Sequence, residues 1–114
     1  MNELIGQIKQ WGIDKGIVGP NGKGTLLGQL SKTQEELTET RDAAVRVLDN
    51  RANSVAQINA IADLQDGIGD TVVTLILAAE LAGLDFEECL RYAYDEIKGR
   101  NGRMENGTFV KNSK

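Results

Sequence analysis

The chain has 114 residues, 13 basic and 17 acidic side chains and no histidine, for a formal net charge of −4 at pH 7. That length suits one domain with a single core, and 40% apolar with 26% charged content is that of a folded globular chain rather than a disordered or fibrous one. The missing histidine excludes serine–histidine–acid triads, cysteine–histidine pairs and histidine-built zinc or iron sites, so carboxylates must supply most of any catalytic apparatus.

In chain order, Leu4, Ile5, Ile8, Trp11 and Gly12 fall at helical spacing and predict a short amphipathic helix from about Asn2 to Lys15. GIVGPNGKG, from Gly16 to Gly24, holds four glycines and the only proline and predicts an ordered loop. A second helix is expected from about Thr25 to Asp49, with a stripe of Leu30, Leu37, Ala44, Val45 and Leu48. DNRANS breaks it, and Asn53 or Ser54 is placed to cap the next helix. This third helix, roughly Val55 to Leu81, carries Ile58, Ile61, Ile68, Val72, Leu75, Ile76 and Ala79 on one face, which is expected to pack within the chain. Its TVVTLILAA half is apolar nearly all round, and a small helical monomer has too little mass to bury such a helix, which points to a homo-oligomer.

Gly83 ends that helix, and Asp85 with Glu88 three residues on resembles a capping box for a fourth helix, about Phe86 to Lys98, with Phe86, Leu90, Ala93 and Ile97 inward. The lone Cys89 has neither a disulfide partner nor a histidine activator and reads as a small core residue. After Gly99, Asn106-Gly107 between two short segments is the signal of a two-residue hairpin, and this wins over its reading as a glycosylation sequon. The expected architecture is thus all-α, four helices with a small C-terminal β-hairpin, completed by oligomerisation into a homodimer or tetramer. It forms one domain over residues 1–114, with an N-terminal helix and loop (1–24), a helical core (25–99) and a hairpin tail (100–114).

The start has no long apolar h-region, and the longest apolar run, Val72 to Ala82, is interrupted by Thr74 and Glu80. The expectation is a reduced, cytoplasmic protein with no membrane segment. The acidic balance argues against nucleic acid as a partner, since a phosphate-backbone binder needs a broad basic face.

Two acidic clusters stand out. Glu35, Glu36 and Glu39 project from one neighbourhood of the second helix, where like charges repel, and alone they describe a solvated acidic face. Asp63, Asp66 and Asp70 form a line on the third helix that continues into Val73 and Leu77, so these carboxylates are expected to point along a path into the protein or its interface, where they need a compensating charge. A divalent cation supplies it, and a set of hard oxygen ligands selects magnesium, with manganese as a substitute, and with it phosphate chemistry.

With these residues in view, KTQEELTE followed by LQDGIGDTVVTLILAAELAGLDFEECLRYAYDEIKGRNGRMENGTFVK resembles the MazG-like nucleotide pyrophosphohydrolases of the all-α NTP pyrophosphatase superfamily, over about Gln29 to Val110. That family is marked by EExxE on one helix and ExxD on the next, and its members convert nucleoside triphosphates to monophosphate and pyrophosphate with magnesium. Glu35, Glu36 and Glu39 match the first motif, and Asp70 matches the end of the second. Gly67 stands where the family has its glutamate, and Asp66, one residue earlier and on the same face as Asp70, is the replacement ligand.

The resemblance implies that Glu36, Glu39, Asp66 and Asp70 hold Mg2+ and that Glu35 positions or deprotonates the attacking water. Lys32, one turn before Glu36, and Lys98 and Arg103, at the basic positions of an IKxRxGxM-like tail, would bind phosphate, whereas Arg100 reads equally as a surface charge and Asp95 has no assigned role. Trp11 is a core anchor or a base-stacking residue. GPNGKGT is not a phosphate-binding P-loop, because the first glycine would have to be Ile17 and Gly24 follows Lys23; it is expected as a loop beside the nucleotide pocket. The expected function is Mg-dependent hydrolysis of (d)NTP substrates in nucleotide-pool housecleaning. The alternative is a catalytically inactive helical dimer, a regulatory or partner-binding module that lost its chemistry at Gly67.

Overall fold

The computed structural model describes residues 2–112; Met1 and the last two residues of the expected tail lie outside it. The elements are α1 (Asn2–Asp14), α2 (Leu26–Val47), α3 (Ser54–Leu81) and α4 (Phe86–Ile97), then β1 (Gly102–Glu105) and β2 (Thr108–Lys111). Local chemistry sets these limits. Thr25, Asn53 and Asp85 sit in extended backbone and accept from the amides of Gly28, Ala56 and Glu88, satisfying donors that the first helical turn leaves free. Gly83, at φ 75°, supplies the left-handed residue that ends α3. Asn106 and Gly107, at φ 50° and 84°, make the primed turn that pairs β1 with β2 antiparallel, Glu105 opposite Thr108.

The centre of the fold is the antiparallel α2–α3 pair. Arg46 meets Asp63, Thr40 meets Gly67 and Thr33 meets Thr74, a succession that runs in opposite directions on the two helices. The buried residues of this seam are small: Ala43 on α2, with Ala60, Gly67, Thr74 and Ala78 on α3. Small side chains let the axes come close, and at Gly67 the approach is so tight that a Cβ would lie 2.4 Å from Thr40 Oγ1. The seam's hydroxyls stay satisfied, Thr40 donating to Glu36 O and Thr71 to Gly67 O, with the Thr33 and Thr74 hydroxyls 2.7 Å apart.

α1 packs on the C-terminal half of α3. Ile5 and Gly12 are buried, and Gly12 faces Leu77 so closely that an added Cβ would lie 2.5 Å from its Cδ2. Val18, in the loop after α1, is 2% exposed, and the loop closes on itself through Lys23 N donating to Gly16 O and Gly24 N to Ile17 O. Lys9 reaches from α1 to the end of α3 and the start of α4, with Nζ 3.5 Å from Glu80 and 3.4 Å from Asp85.

The large-residue stripes behave differently from expectation. On α3, Ile76 and Ala79 are buried, but Ile58, Ile61, Ile68, Val72 and Leu75 are exposed, because the face turned to α2 is the small-residue face about half a turn away. On α2, Leu30, Leu37, Val45 and Leu48 are likewise exposed. α4 buries no residue: Phe86 is half covered at its start, while Leu90, Ala93 and Ile97 face outward because α4 leaves α3 at 104°. Cys89 is exposed as well and is no core residue of the single chain. No single helix among the described residues is long and apolar enough to cross a membrane.

The glycines give a paired stability test. Gly67→Ala should lower stability by about 1–3 kcal/mol in urea unfolding, since overpacking a rigid contact outweighs the gain in helix propensity. Gly69→Ala, where an added Cβ meets nothing within 4 Å, should raise it by about 0.5–1 kcal/mol. Equal effects of the two changes would mean that α2 and α3 are not in close contact at Gly67.

Candidate functional site

The small seam has a direct consequence for the residues beside it. Side chains one position round each helix from the seam flank a narrow groove, and on one side of it these are acids. Glu36, Glu39 and Asp42 from α2 and Asp63, Asp66 and Asp70 from α3 line a cleft of about 490 Å³, floored by Gly67. Four of these, Glu36, Glu39, Asp66 and Asp70, are the metal ligands expected from the sequence. Asp42 is an addition that the motif spacing does not single out, although it follows Glu39 at i+3 on the same face, a signal open to the same helical reasoning. Arg46 closes one end of the cleft by donating to Asp63 Oδ2 at 2.9 Å.

Glu36 is the most enclosed of these groups for which an ion pair is formed, its side chain 13% accessible. Of the two expected courses for Asp63, Asp66 and Asp70, the interior of the chain is not the one taken: all three are exposed along the open groove, because α1 covers only the C-terminal half of α3. Among the described residues no three acidic side chains gather closely enough to hold one ion as they stand. The backbone nevertheless sets carboxylates on both walls of one groove, and their all-oxygen donor set suits a hard divalent cation.

A second cavity of about 510 Å³ continues from the first and shares Glu36 and Asp70 with it. Its walls differ in character: Trp11 from α1, Ile17 from the glycine-rich loop, Gln29 and Lys32 from α2, and Val73, Thr74 and Leu77 from α3. The expected loop therefore does border a pocket, through Ile17, and Trp11 is 47% exposed as a pocket wall rather than sealed in a core. The line of aspartates on α3 does continue into Val73 and Leu77, which form the apolar side of this second cavity.

Lys32 Nζ lies 3.0 Å from Glu35 and 3.7 Å from Glu36. The hydrogen bond and charge of Glu35, reinforced by Glu36 and Glu39, push the Lys32 pKa above its ordinary value, so the ammonium stays charged throughout neutral pH. Glu35 itself lines neither cavity and is held to the side by Lys32. Lys98 and Arg103 also lie outside both cavities: Lys98 pairs with Asp95 at 3.2 Å and sits 5.9 Å from the Tyr94 ring centroid, and Arg103 pairs with Glu105, two residues on along β1. Arg100 pairs with Glu96. Gly67 is explained by packing, because a glutamate at this position would drive its Cβ into Thr40.

Comparison of the chain with protein-family models, with curated proteins and with solved structures finds no match. The reading of the site therefore rests on its own residues. Acids crowded on two facing walls repel one another, and a bound cation relieves that repulsion only in the folded state. Magnesium at one hundred times its dissociation constant should add about 2.7 kcal/mol to stability, a rise of several degrees in Tm by scanning calorimetry. Asp70→Asn should remove that rise while leaving the metal-free Tm unchanged or higher. A wild-type Tm indifferent to magnesium and manganese would rule out this cleft as a cation site.

Proposed function

We propose that the chain is a divalent-metal-dependent hydrolase that cleaves (deoxy)nucleoside triphosphates to the monophosphate and pyrophosphate, acting in nucleotide-pool housecleaning in the cytoplasm as a homodimer or tetramer. The observation that carries this reading is the continuity of the two cavities. A carboxylate-lined groove joins an apolar pocket walled by Trp11, with Glu36 and Asp70 common to both and Lys32 at the junction. A ligand that fits both has a polyanionic end needing cations and a flat aromatic end needing a ring to stack on, which is the chemistry of a nucleotide.

In this reading Glu36, Glu39, Asp66 and Asp70 hold Mg2+, or Mn2+ in its place, with Asp42 as a further carboxylate within the cleft. The ion supplies charge neutralisation of the phosphates and a lowered pKa for a bound water. Trp11 stacks on the base, and Lys32 offers its ammonium to the phosphates. Glu35, adjoining Lys32, accepts the proton of the water that attacks the α-phosphorus as the bond to the bridging oxygen of pyrophosphate breaks. Lys98 and Arg103 steady the departing pyrophosphate in the assembled oligomer, since neither borders a cavity of its own chain.

A second reading, a helical module without catalysis, is favoured by two observations: no three carboxylates among the described residues converge, and the position of the family's glutamate is sealed by packing at Gly67. One experiment separates the two. The protein is incubated with a panel of NTPs and dNTPs with and without magnesium, and the products are resolved, with Asp70→Ala and Glu35→Gln alongside. The enzyme reading expects monophosphate plus pyrophosphate, dependent on metal, abolished in Asp70→Ala and reduced by about 10²–10⁴-fold in Glu35→Gln, as for loss of a general base. Trp11→Ala should raise KM about tenfold with kcat little changed, as for loss of binding shared by ground and transition states. No turnover with any nucleotide and either metal would leave the module reading.

A further inference from the structure

The cavity walled by Trp11 holds one polar group that neither ring stacking nor phosphate binding uses. Of its polar side chains, Lys32 is paired with Glu35 and Glu36, and Glu36 and Asp70 belong to the acidic cleft as well. The Thr74 hydroxyl is tied to that of Thr33 and donates to Thr71 O. Gln29 remains. It is half-buried, and its carboxamide makes no hydrogen bond to any of the described residues. Its backbone is pinned in the first turn of α2, where Gln29 N donates to Thr25 O at 2.9 Å and Gln29 O accepts from Thr33 Oγ1 at 3.0 Å. The result is a fixed stem with an unanchored amide at its tip. Gln29, Lys32 and Glu36 follow one another at i, i+3 and i+7 along the face of α2 that borders the cavity. On the opposite wall Leu77, Val73 and Asp70 of α3 run the same course. Both walls thus reach carboxylate after two helical turns, about 10 Å, the span between the edge of a nucleobase and its α-phosphate.

We infer that Gln29 is a specificity-determining residue, whose carboxamide hydrogen-bonds the edge of the base that stacks on Trp11 and accepts amino and oxo bases alike. This rests on the nucleotide reading above but not on turnover. The amide presents a donor and an acceptor side by side. Cytosine meets it with an amino donor and a ring-nitrogen acceptor, uracil with a ring N–H donor and a carbonyl acceptor. Because no protein group fixes the amide, a half-turn about its last side-chain bond exchanges donor for acceptor, and both edges are satisfied at one position. A carboxylate there accepts only. It takes the cytosine amino group at the corner of the ring, whereas the edge N–H of uracil is flanked by two carbonyl oxygens that repel it. Selectivity between the two bases is therefore set by the chemistry of a single side chain, while Trp11, Val73 and Leu77 supply contact area that does not distinguish them.

Trp11 is the single tryptophan of the chain, so its fluorescence reports occupancy of this pocket without any need for catalysis. The experiment titrates the full chain, Gln29→Met and Gln29→Glu with the α,β-imido analogues of dCTP and dUTP in magnesium, which keep the base and resist the proposed cleavage. The wild type should bind both with similar affinity. Gln29→Met, which keeps the reach of the side chain and removes its hydrogen bonds, should weaken both by about tenfold. Gln29→Glu should bind the cytosine nucleotide at least about tenfold more tightly than the uracil one. A Gln29→Met protein that binds both as the wild type does, or a Gln29→Glu protein that weakens both by one factor, overturns the inference while the wild-type response upholds the pocket. A wild-type emission that responds to neither nucleotide overturns the nucleotide reading and the inference with it. If a variant loses its helicity by circular dichroism, the wild type still decides, since a preference beyond about a hundredfold for either base would mean a site built for one edge only.

Discussion

The close approach of α2 and α3 is the constraint on which the rest of this structure depends. It exists because one face of each helix is built of small residues: Ala43 and Thr40 on α2, Ala60, Gly67 and Thr74 on α3. Burial of such residues yields less hydrophobic stabilisation per side chain than burial of leucine or isoleucine, so the pair gains instead from tight contact along its length and from hydroxyls that bond within the seam. The carboxylate-lined cleft is placed relative to that line. Acids one step round the helices face each other across a groove, and moving the axes apart by the width of one methyl group would change the groove's width along its whole length.

This geometry sets stability against binding. Six carboxylates on two walls, with Arg46 as the one base lining the cleft, make a surface that opposes its own formation by like-charge repulsion. The folded chain tolerates it because the groove is open to water, which screens the charges. Along this open groove the side chains stand apart, and no three of those described gather round one point. In the proposed reading, preorganisation is carried by the backbone, and the side chains are ordered by the cation and phosphates that enter.

Much of the secondary structure was legible because it is written in local chemistry. Thr25, Asn53 and Asp85 announce helix starts, Gly83 an end and Asn106-Gly107 a turn, and each acts within a few residues of itself. The acids of the cleft were legible for the same reason, since helical spacing alone puts Glu36 with Glu39 and Asp66 with Asp70. What the sequence obscured is which face of each helix turns inward. Ile58, Ile61, Ile68 and Leu75 have the stronger apolar periodicity, and counting large residues selects them as the core, whereas the partner helix sits on Ala60, Gly67 and Thr74. A face of alanine, glycine and threonine is weakly apolar by residue type yet allows the shortest helix separation, and periodicity measures only the former. The same error carried Cys89 and Leu90 inward: their helix is amphipathic, but its apolar side has no counterpart within the chain.

Lys9 joins parts of the molecule that are otherwise remote. Its ammonium spans Glu80, at the end of α3, and Asp85, the cap of α4, while its own helix carries Trp11 two residues on. These ion pairs are at least partly solvated, so each is weak and screened by salt. The elbow between α3 and α4, closed by Leu84 N donating to Ala79 O, is thus braced from α1 by a soft, ionic tether. Any swing of α4 must stretch or break that tether, and because the tether is anchored on α1, the wall of the apolar pocket and the orientation of the α4 arm share a single mechanical joint whose stiffness falls as ionic strength rises.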